Sequence, residues 1–102
     1  MIHVLATIEV TPGKRDEVLA QFAWVTPQVI AEAGCVEYGT AVDVATDNPN
    51  QLPPRPDVIV VVEKWRDAAA LKAHSESAHM AEYRRRVAGL VKSVSLQVLR
   101  PA

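Results

Sequence analysis

The chain has 102 residues, of which 49% are hydrophobic and 23% charged, proportions typical of one ordinary globular domain spanning residues 1–102. A formal net charge of −1 and a pI near 6.3 argue against nucleic acid or an anionic membrane surface as its main partner. No apolar run is long enough to cross a bilayer, and the single cysteine, Cys35, excludes a disulfide framework and a thiolate metal cluster.

The first third of the chain predicts a strand followed by a helix. Apolar side chains recur at every second position of residues 2–10, which is the period of a strand. Met1 leads directly into this strand, so we expect no signal peptide and a cytoplasmic protein. Helical spacing begins near Lys14, and Gly34 is a natural stop. Pro27 interrupts the helical pattern, which predicts either two short helices or one kinked helix.

The middle of the chain predicts two strands joined by a long connection. Residues 36–42 alternate as a second strand, and the apolar run that opens residues 58–65 indicates a third. The connection at residues 45–57 contains four prolines and is longer than most loops in compact domains. Two interpretations stay open: a lid, an arm or a disordered tip on the one hand, and a tolerated surface excursion on the other.

The last third predicts helical segments and a closing strand. Asp67 is placed to cap a helix that starts near Ala68, and a second helical segment covers roughly residues 77–91. Residues 94–98 then alternate as a final strand. The order β-α-β-β-α-β predicts an α+β, ferredoxin-like fold with an antiparallel sheet.

The third strand also bears on oligomeric state. A sheet of this topology carries its helices on one face, yet residues 58–62 are apolar on both faces. The simplest way to bury the second face in so short a chain is to pack it against the same face of another copy, sheet against sheet. We therefore expect a homodimer.

Two polar groups stand out at the end of the third strand. Because side chains alternate along an extended chain, Glu63 and Trp65 lie on one face, together with Ile59 and Val61. A carboxylate that follows an apolar strand needs a partner or water, and His74 or an arginine would supply it.

The histidines of the following helical region do not predict a metal site. His74 and His79 are five residues apart, which is about 140° around one ideal helix, and no HExxH or CxxC motif occurs. Glu32, just before Gly34, is interpreted as a helix-end residue without a chemical role. The basic run at residues 84–86 fans around a helix and is interpreted as a solvated face.

Taken together, several segments resemble the antibiotic biosynthesis monooxygenase superfamily, and within it the small bacterial quinol monooxygenases. The segments that carry the resemblance are Glu32–Cys35 with Tyr38 and Asp43, Val62–Trp65, Leu71, Ala73–His74, Ser77–Met80 and Tyr83. The opening strand, Pro12–Lys14, the Pro27 interruption and the closing Val98–Pro101 also fit, so the resemblance spans nearly the whole chain.

The resemblance implies a dimeric α/β-barrel with one pocket per subunit between sheet and helices. It implies oxidation of a quinol or phenolic aromatic by O2 without metal, flavin or haem. The implied catalytic residues are a histidine base, His74 in the first place or His79 in the second, and Glu63, which would orient the imidazole or raise its basicity. The implied substrate contacts are Trp65 as a flat wall, the hydroxyls of Tyr38 and Tyr83, and His3 on the first strand.

Three alternatives remain at this point. One is an isomerase of a small carbonyl compound, which for a phosphorylated substrate needs Arg55, Lys64 or Arg66 to turn into the pocket. Another is haem degradation, although the asparagine that this branch typically has on its first strand is missing, and His3 is the nearest polar substitute. The last is a non-catalytic dimeric protein that binds reactive aromatics.

Overall fold

A four-stranded antiparallel sheet with three helices packed on one face forms the structure, a computed structural model that describes residues 1–102. In chain order the elements are β1 (Ile2–Val10), α1 (Arg15–Ile30), β2 (Cys35–Ala41), β3 (Val58–Trp65), α2 (Ala68–Ser75), α3 (Ala78–Arg86) and β4 (Val91–Leu99). The strand order is β2-β3-β1-β4, so β2 and β4 are the edges. The predicted ferredoxin-like fold is confirmed, and the sheet of a single chain is open rather than closed into a barrel.

The core follows from the alternation of the two central strands. Val4, Ala6 and Ile8 on β1 pair with Glu63, Val61 and Ile59 on β3, and all six side chains are buried against the helices. The helices contribute the matching apolar stripe, which on α1 consists of Val18, Phe22, Val25 and Val29. Burial of these apolar side chains is the main driving force for the fold.

The structure decides between the two possibilities at Pro27 and corrects one predicted helix end. Helix α1 continues through Pro27 as one element, because packing of its buried face offsets the lost backbone hydrogen bond. The helix predicted for residues 77–91 ends earlier, at Arg86, and Gly89 with φ 83° then turns the chain into β4. None of the three helices is long and apolar enough to span a membrane.

The connection between β2 and β3, residues 42–57, is called the arm below. It contains no helix or strand. The Arg55 guanidinium donates to both carboxylate oxygens of Asp43, at 2.8 and 3.0 Å, and holds the pKa of that carboxyl down at about 2. Gln51 accepts from Thr46, which folds the tip of the arm onto itself. The arm therefore has a defined shape.

Candidate active site

A cavity of about 370 Å³ lies between the helix face of the sheet and the helices. Its lining is mostly apolar, with Ala6 and Ile8 from β1, Phe22 from α1 and Met80 from α3 among the contributors. The polar side chains in the lining are Tyr38, Glu63, His74, Ser75, Tyr83 and Arg84. A few polar groups that converge in an apolar pocket of this size are the usual makings of a small-molecule site.

Behind one wall of the cavity, two imidazoles share a carboxylate. His74 Nδ1 and His79 Nε2 each lie 2.8 Å from Glu32 Oε2, the distance of a charge-assisted hydrogen bond. The His74 side chain is 6% exposed, that of Glu32 13% and that of His79 20%. Of the three residues, His74 lines the cavity, whereas Glu32 and His79 do not.

The two histidines meet because they belong to different helices. The break falls at Glu76–Ser77, where the Ser77 hydroxyl accepts from the backbone N–H of Met80 and caps α3. The spacing argument against a shared site assumed one continuous helix, and the break removes that assumption. Their side chains can therefore point at the same atom.

Aromatic rings fix the position of His74. The Trp65 ring lies 4.7 Å from the imidazole and the Tyr38 ring 5.6 Å from it, measured between centroids. Trp65 is fully buried and does not line the cavity, so the flat wall that the resemblance implied is absent. Trp65 packs behind the imidazole instead and restricts its movement.

Glu63 has a partner that the sequence did not indicate. Trp65 Nε1–H donates to Glu63 Oε1 at 2.9 Å, so the alternation that puts both side chains on one face also joins them. Burial raises the pKa of the Glu63 carboxyl, and the Trp65 hydrogen bond and nearby His74 offset part of that rise. The direct hydrogen bond to the imidazole comes from Glu32 rather than from Glu63, whereas the charge of Glu63 is close enough to interact with His74.

Tyr38 and Tyr83 both line the cavity. Burial is the main cause that raises the pKa of each phenol, and for Tyr38 the nearby Glu63 adds to the rise. Both hydroxyls therefore stay protonated and can donate a hydrogen bond to an oxygen of a bound molecule. The Phe22 ring packs 4.6 Å from that of Tyr83 and supports it from α1.

His3 is not part of the cavity, which corrects its place among the substrate contacts. It pairs with Lys64 in the sheet, whereas its neighbour Val4 pairs with Glu63. Because adjacent strand residues face opposite sides, His3 lies on the face without helices. Its Nε2 is buried there without a hydrogen-bond partner.

Glu32 is the functional candidate that sequence reasoning missed. It lies just after α1, in the turn that Gly34 completes with φ 82°, and this turn passes close to α2. An acidic residue at a helix C-terminus is unfavourable next to the helix dipole. That local disadvantage, and the place of Glu32 in a segment that carries the family resemblance, were the signals that could have singled it out.

The same three side chains offer a donor set for a metal ion. The ligand atoms of Glu32, His74 and His79 lie within 4.8 Å of one another, and two imidazoles with a carboxylate would suit Zn²⁺. Ordinary hydrogen bonds already account for both 2.8 Å distances. Since two of the three residues lie outside the lining, an ion held there would sit behind His74 rather than in the cavity.

Comparison with known proteins shows which sequences and structures this chain resembles. The sequence model described as antibiotic biosynthesis monooxygenase matches residues 1–86. The chain is 39% identical to "Probable quinol monooxygenase YgiN" of Escherichia coli K12 over 99% of this chain and 98% of that protein. It is 35% identical to "Putative monooxygenase YcnE" of Bacillus subtilis over 78% of this chain and 74% of that protein.

Solved structures agree on the fold. The structure titled "Putative antibiotic biosynthesis monooxygenase from Nitrosomonas europaea" superposes with a TM-score of 0.82, over 99% of this chain and 98% of that chain. Its sequence is 19% identical, so this likeness concerns the fold alone.

Proposed function

This chain belongs to the antibiotic biosynthesis monooxygenase family, and we propose that it oxidises a hydroquinone or a related phenol with O2 in the cavity described above. The reaction needs no metal, flavin or haem. The substrate class is supported by the 39% identity, over nearly the full length, to a relative named as a probable quinol monooxygenase. The residue roles are supported by the contacts around His74.

The observation that carries the proposal is the hydrogen bond from His74 to Glu32. An ionised carboxylate only accepts hydrogen bonds, so the Nδ1 of His74, 2.8 Å from Glu32 Oε2, carries the proton. The Nε2 is then the nitrogen that can accept one. An imidazole held in one orientation in the lining of a mostly apolar cavity is suited to act as a general base.

The chemistry then needs little else from the protein. His74 Nε2 takes a proton from a hydroquinone hydroxyl, and the electron-rich anion passes one electron to O2. The semiquinone and superoxide combine at a ring carbon to give a peroxide anion, and its outer oxygen takes the proton back from His74 to form a hydroperoxide. The C–H proton of that ring carbon is then lost to His74 as the C=O bond forms and the O–O bond breaks, and the leaving hydroxide takes this proton and departs as water. Hydroquinone and O2 thus become hydroxyquinone and water, with atoms and electrons balanced.

The remaining lining residues assist these steps. The protonated hydroxyls of Tyr38 and Tyr83 donate to the substrate oxygens, where negative charge develops when His74 takes the proton. The apolar walls admit O2, exclude water and keep the radical pair together until it combines. Glu63 holds the Trp65 ring against the imidazole and so positions the base indirectly.

We also propose that two copies form a homodimer that works in the cytoplasm on a small aromatic substrate, without nucleic acid or membrane as partner. Support for the dimer comes from Leu5, Val60 and Val62, which alternate onto the helix-free face of the sheet and are only half-buried in one chain. Apolar surface of that kind favours association. A reducing compartment suits the unpaired thiol of Cys35.

The three basic residues named for the isomerase alternative do not reach the cavity: Arg55 is bound to Asp43 on the arm, and neither Lys64 nor Arg66 is part of the lining. The basic residue that does line the cavity, Arg84, donates to the backbone carbonyl of Ser75. The haem alternative is weakened as well, because His3, the polar group on the first strand, faces away from the cavity. The non-catalytic alternative predicts binding without oxygen consumption.

Oxygen uptake is the decisive test. Chelator-treated protein is mixed with a panel of hydroquinones and polycyclic phenols, and dissolved oxygen and product are measured together. We expect uptake above the autoxidation background at one O2 per product. His74→Gln should lower kcat at least a hundredfold, in the range typical for loss of a general base.

His3→Gln is the matched control, because it removes an imidazole from the opposite face of the sheet. It should leave kcat within about twofold of the wild type. Oxygen uptake that persists in His74→Gln would reject His74 as the general base. The absence of oxygen uptake with every compound of the panel would favour the isomerase or binding alternatives.

A further inference from the structure

Exposed apolar side chains are concentrated in two parts of the chain. Seven of the ten large hydrophobic residues with high exposure lie either on the arm or on β4. Those on the arm are Val42, Val44 and Leu52, and those on β4 are Val94, Leu96, Val98 and Leu99. A clustering of this kind marks a contact surface more often than scattered exposure does.

The arm presents its apolar side chains without burying them. Leu52 is 83% exposed and Val44 is 70% exposed, although the Asp43–Arg55 pair and the Gln51 contacts give the arm a defined shape. No residue of the arm lines the cavity of its own chain. The arm is thus an ordered projection whose apolar groups have no partner within the subunit.

The cavity is incomplete at β4. Val94 and Leu96 contribute to its lining, yet 57% of Val94 and 56% of Leu96 remain exposed. Their register partners Ile8 and Ala6 are buried beneath the helices, so β4 carries the same face of the sheet beyond the helical cover. Val98 continues this exposed row on the same face of β4. The row of Val94, Leu96 and Val98 is called the β4 strip, and its first two residues form one open side of the cavity.

We propose that the arm of a second copy of this chain packs on the β4 strip and closes the cavity. This inference rests on the homodimer proposed above and adds that each active site is completed by its partner. A two-fold dimer requires every chain to carry both halves of the contact, and this chain carries both the arm and the strip. The arm thus supplies the apolar wall that the cavity lacks, from the other subunit.

This arrangement has a chemical consequence. The radical pair formed from the substrate and O2 must be shielded from water, and an open strip of three apolar side chains does not provide that shield. With the partner's arm in place, the strip is covered and the cavity is shielded from water on that side. The Asp43–Arg55 pair keeps the arm in the shape that fits the strip.

Cross-linking tests the contact without any activity measurement. In a Cys35→Ala background, one chain carries Leu52→Cys and a second, differently tagged chain carries Leu96→Cys. We expect mild oxidation of the mixture to give a covalent heterodimer. Ile30→Cys replaces Leu96→Cys in the control, because Ile30 is equally exposed at 56% but lies at the end of α1. Cross-linking no stronger than in this control would overturn the proposal.

Mixed dimers test the effect on catalysis. When one subunit carries Leu52→Asp and the other His74→Gln, the subunit with the intact base is covered by an intact arm, and about half of the wild-type activity should remain. When both changes lie in one subunit and the other is wild type, the subunit with the intact base is covered by the arm that carries Leu52→Asp. Activity should then be about tenfold lower than in the first mixed dimer. Equal activity of the two mixed dimers, or the reverse order, would overturn the closure.

Failure of the proposed function is separately visible. Cross-links without oxygen uptake by the wild type would support the arm contact and reject the oxidation. Oxygen uptake without cross-links above the control would support the oxidation and reject the arm contact. A wild type that sediments as a monomer at assay concentrations would reject the arm contact outright.

Discussion

Glu32 is the residue on which the geometry of the site depends most. One carboxylate oxygen accepts from both imidazoles, so it decides which nitrogen of His74 is left for the substrate. With 13% of its side chain exposed, the bonds it makes are shielded from water and salt more than those on the surface. In the proposed reaction Glu32 is a positioning residue, because it would act on the substrate only through His74.

Glu32→Gln should lower kcat about tenfold to a hundredfold with little change in KM, because the amide can no longer select the tautomer of His74 or stabilise the imidazolium. Steady-state oxygen uptake measures both parameters. Nitrogen chemical shifts of the imidazoles give a second readout, since the proton on the Nδ1 of His74 should redistribute between the two ring nitrogens.

Glu37→Gln is the control for that substitution, because Glu37 pairs with Lys64 at 2.9 Å on the surface, with its side chain 51% exposed. It should change neither kcat nor the imidazole shifts. An unchanged tautomer in Glu32→Gln would show that the hydrogen bond does not orient the base.

Gly34 sets the distance between Glu32 and His74 at the scale of the elements. The turn after α1 passes so close to α2 that a Cβ on Gly34 would lie 2.6 Å from Ala70 Cβ. Its φ of 82° is also a conformation that other residues rarely adopt. This close approach brings the end of α1 against α2 and the carboxylate within reach of the imidazole.

Gly34→Ala should destabilise the protein by about 2–4 kcal/mol, since the added methyl group combines left-handed strain with overpacking. Urea unfolding measures the change. Gly13→Ala separates the two causes, because Gly13 has the same φ of 82° but nothing within 4 Å of an added Cβ. It should cost only about 1–2 kcal/mol. Equal losses for the two variants would mean that the contact with α2 has no effect.

At the scale of the whole molecule, the sheet has two apolar faces and helices for only one. The second face carries Leu5, Val60 and Val62 at its centre and charged or polar residues towards its rim, such as Glu9 and Lys64. An apolar centre with a polar rim is the usual anatomy of a protein interface. Sheet-to-sheet association would also bring each arm near the partner.

Val62→Lys should abolish the proposed dimer, because the ammonium group would be buried between two sheets without a counter-ion. Sedimentation velocity measures the mass. Ala73→Lys on the exposed side of α2 adds the same charge away from the sheet and should leave the dimer intact. A Val62→Lys protein that keeps the wild-type mass would reject this face as the interface.

Local information was sufficient for the elements of this protein. Strand and helix periods, the Asp67 cap and the Gly34 stop depend on residues close in sequence. They were enough to predict all four strands and their order along the chain. The resemblance carried by the Glu32–Cys35 and Val62–Trp65 segments was confirmed as family membership. At Pro27 local information left two short helices or one helix open, and tertiary packing decided for one helix.

The site itself was decided by tertiary contacts. Glu32 lies 42 residues from His74 and 47 from His79, and no local pattern reveals a shared hydrogen bond across such separations. Likewise, the sequence placed Glu63 and Trp65 on one face, but only the folded side chains show that they bind each other. The sequence thus determined which side chains face the core, because that follows from periodicity. The tertiary structure decided which of them meet, because that depends on how distant elements pack.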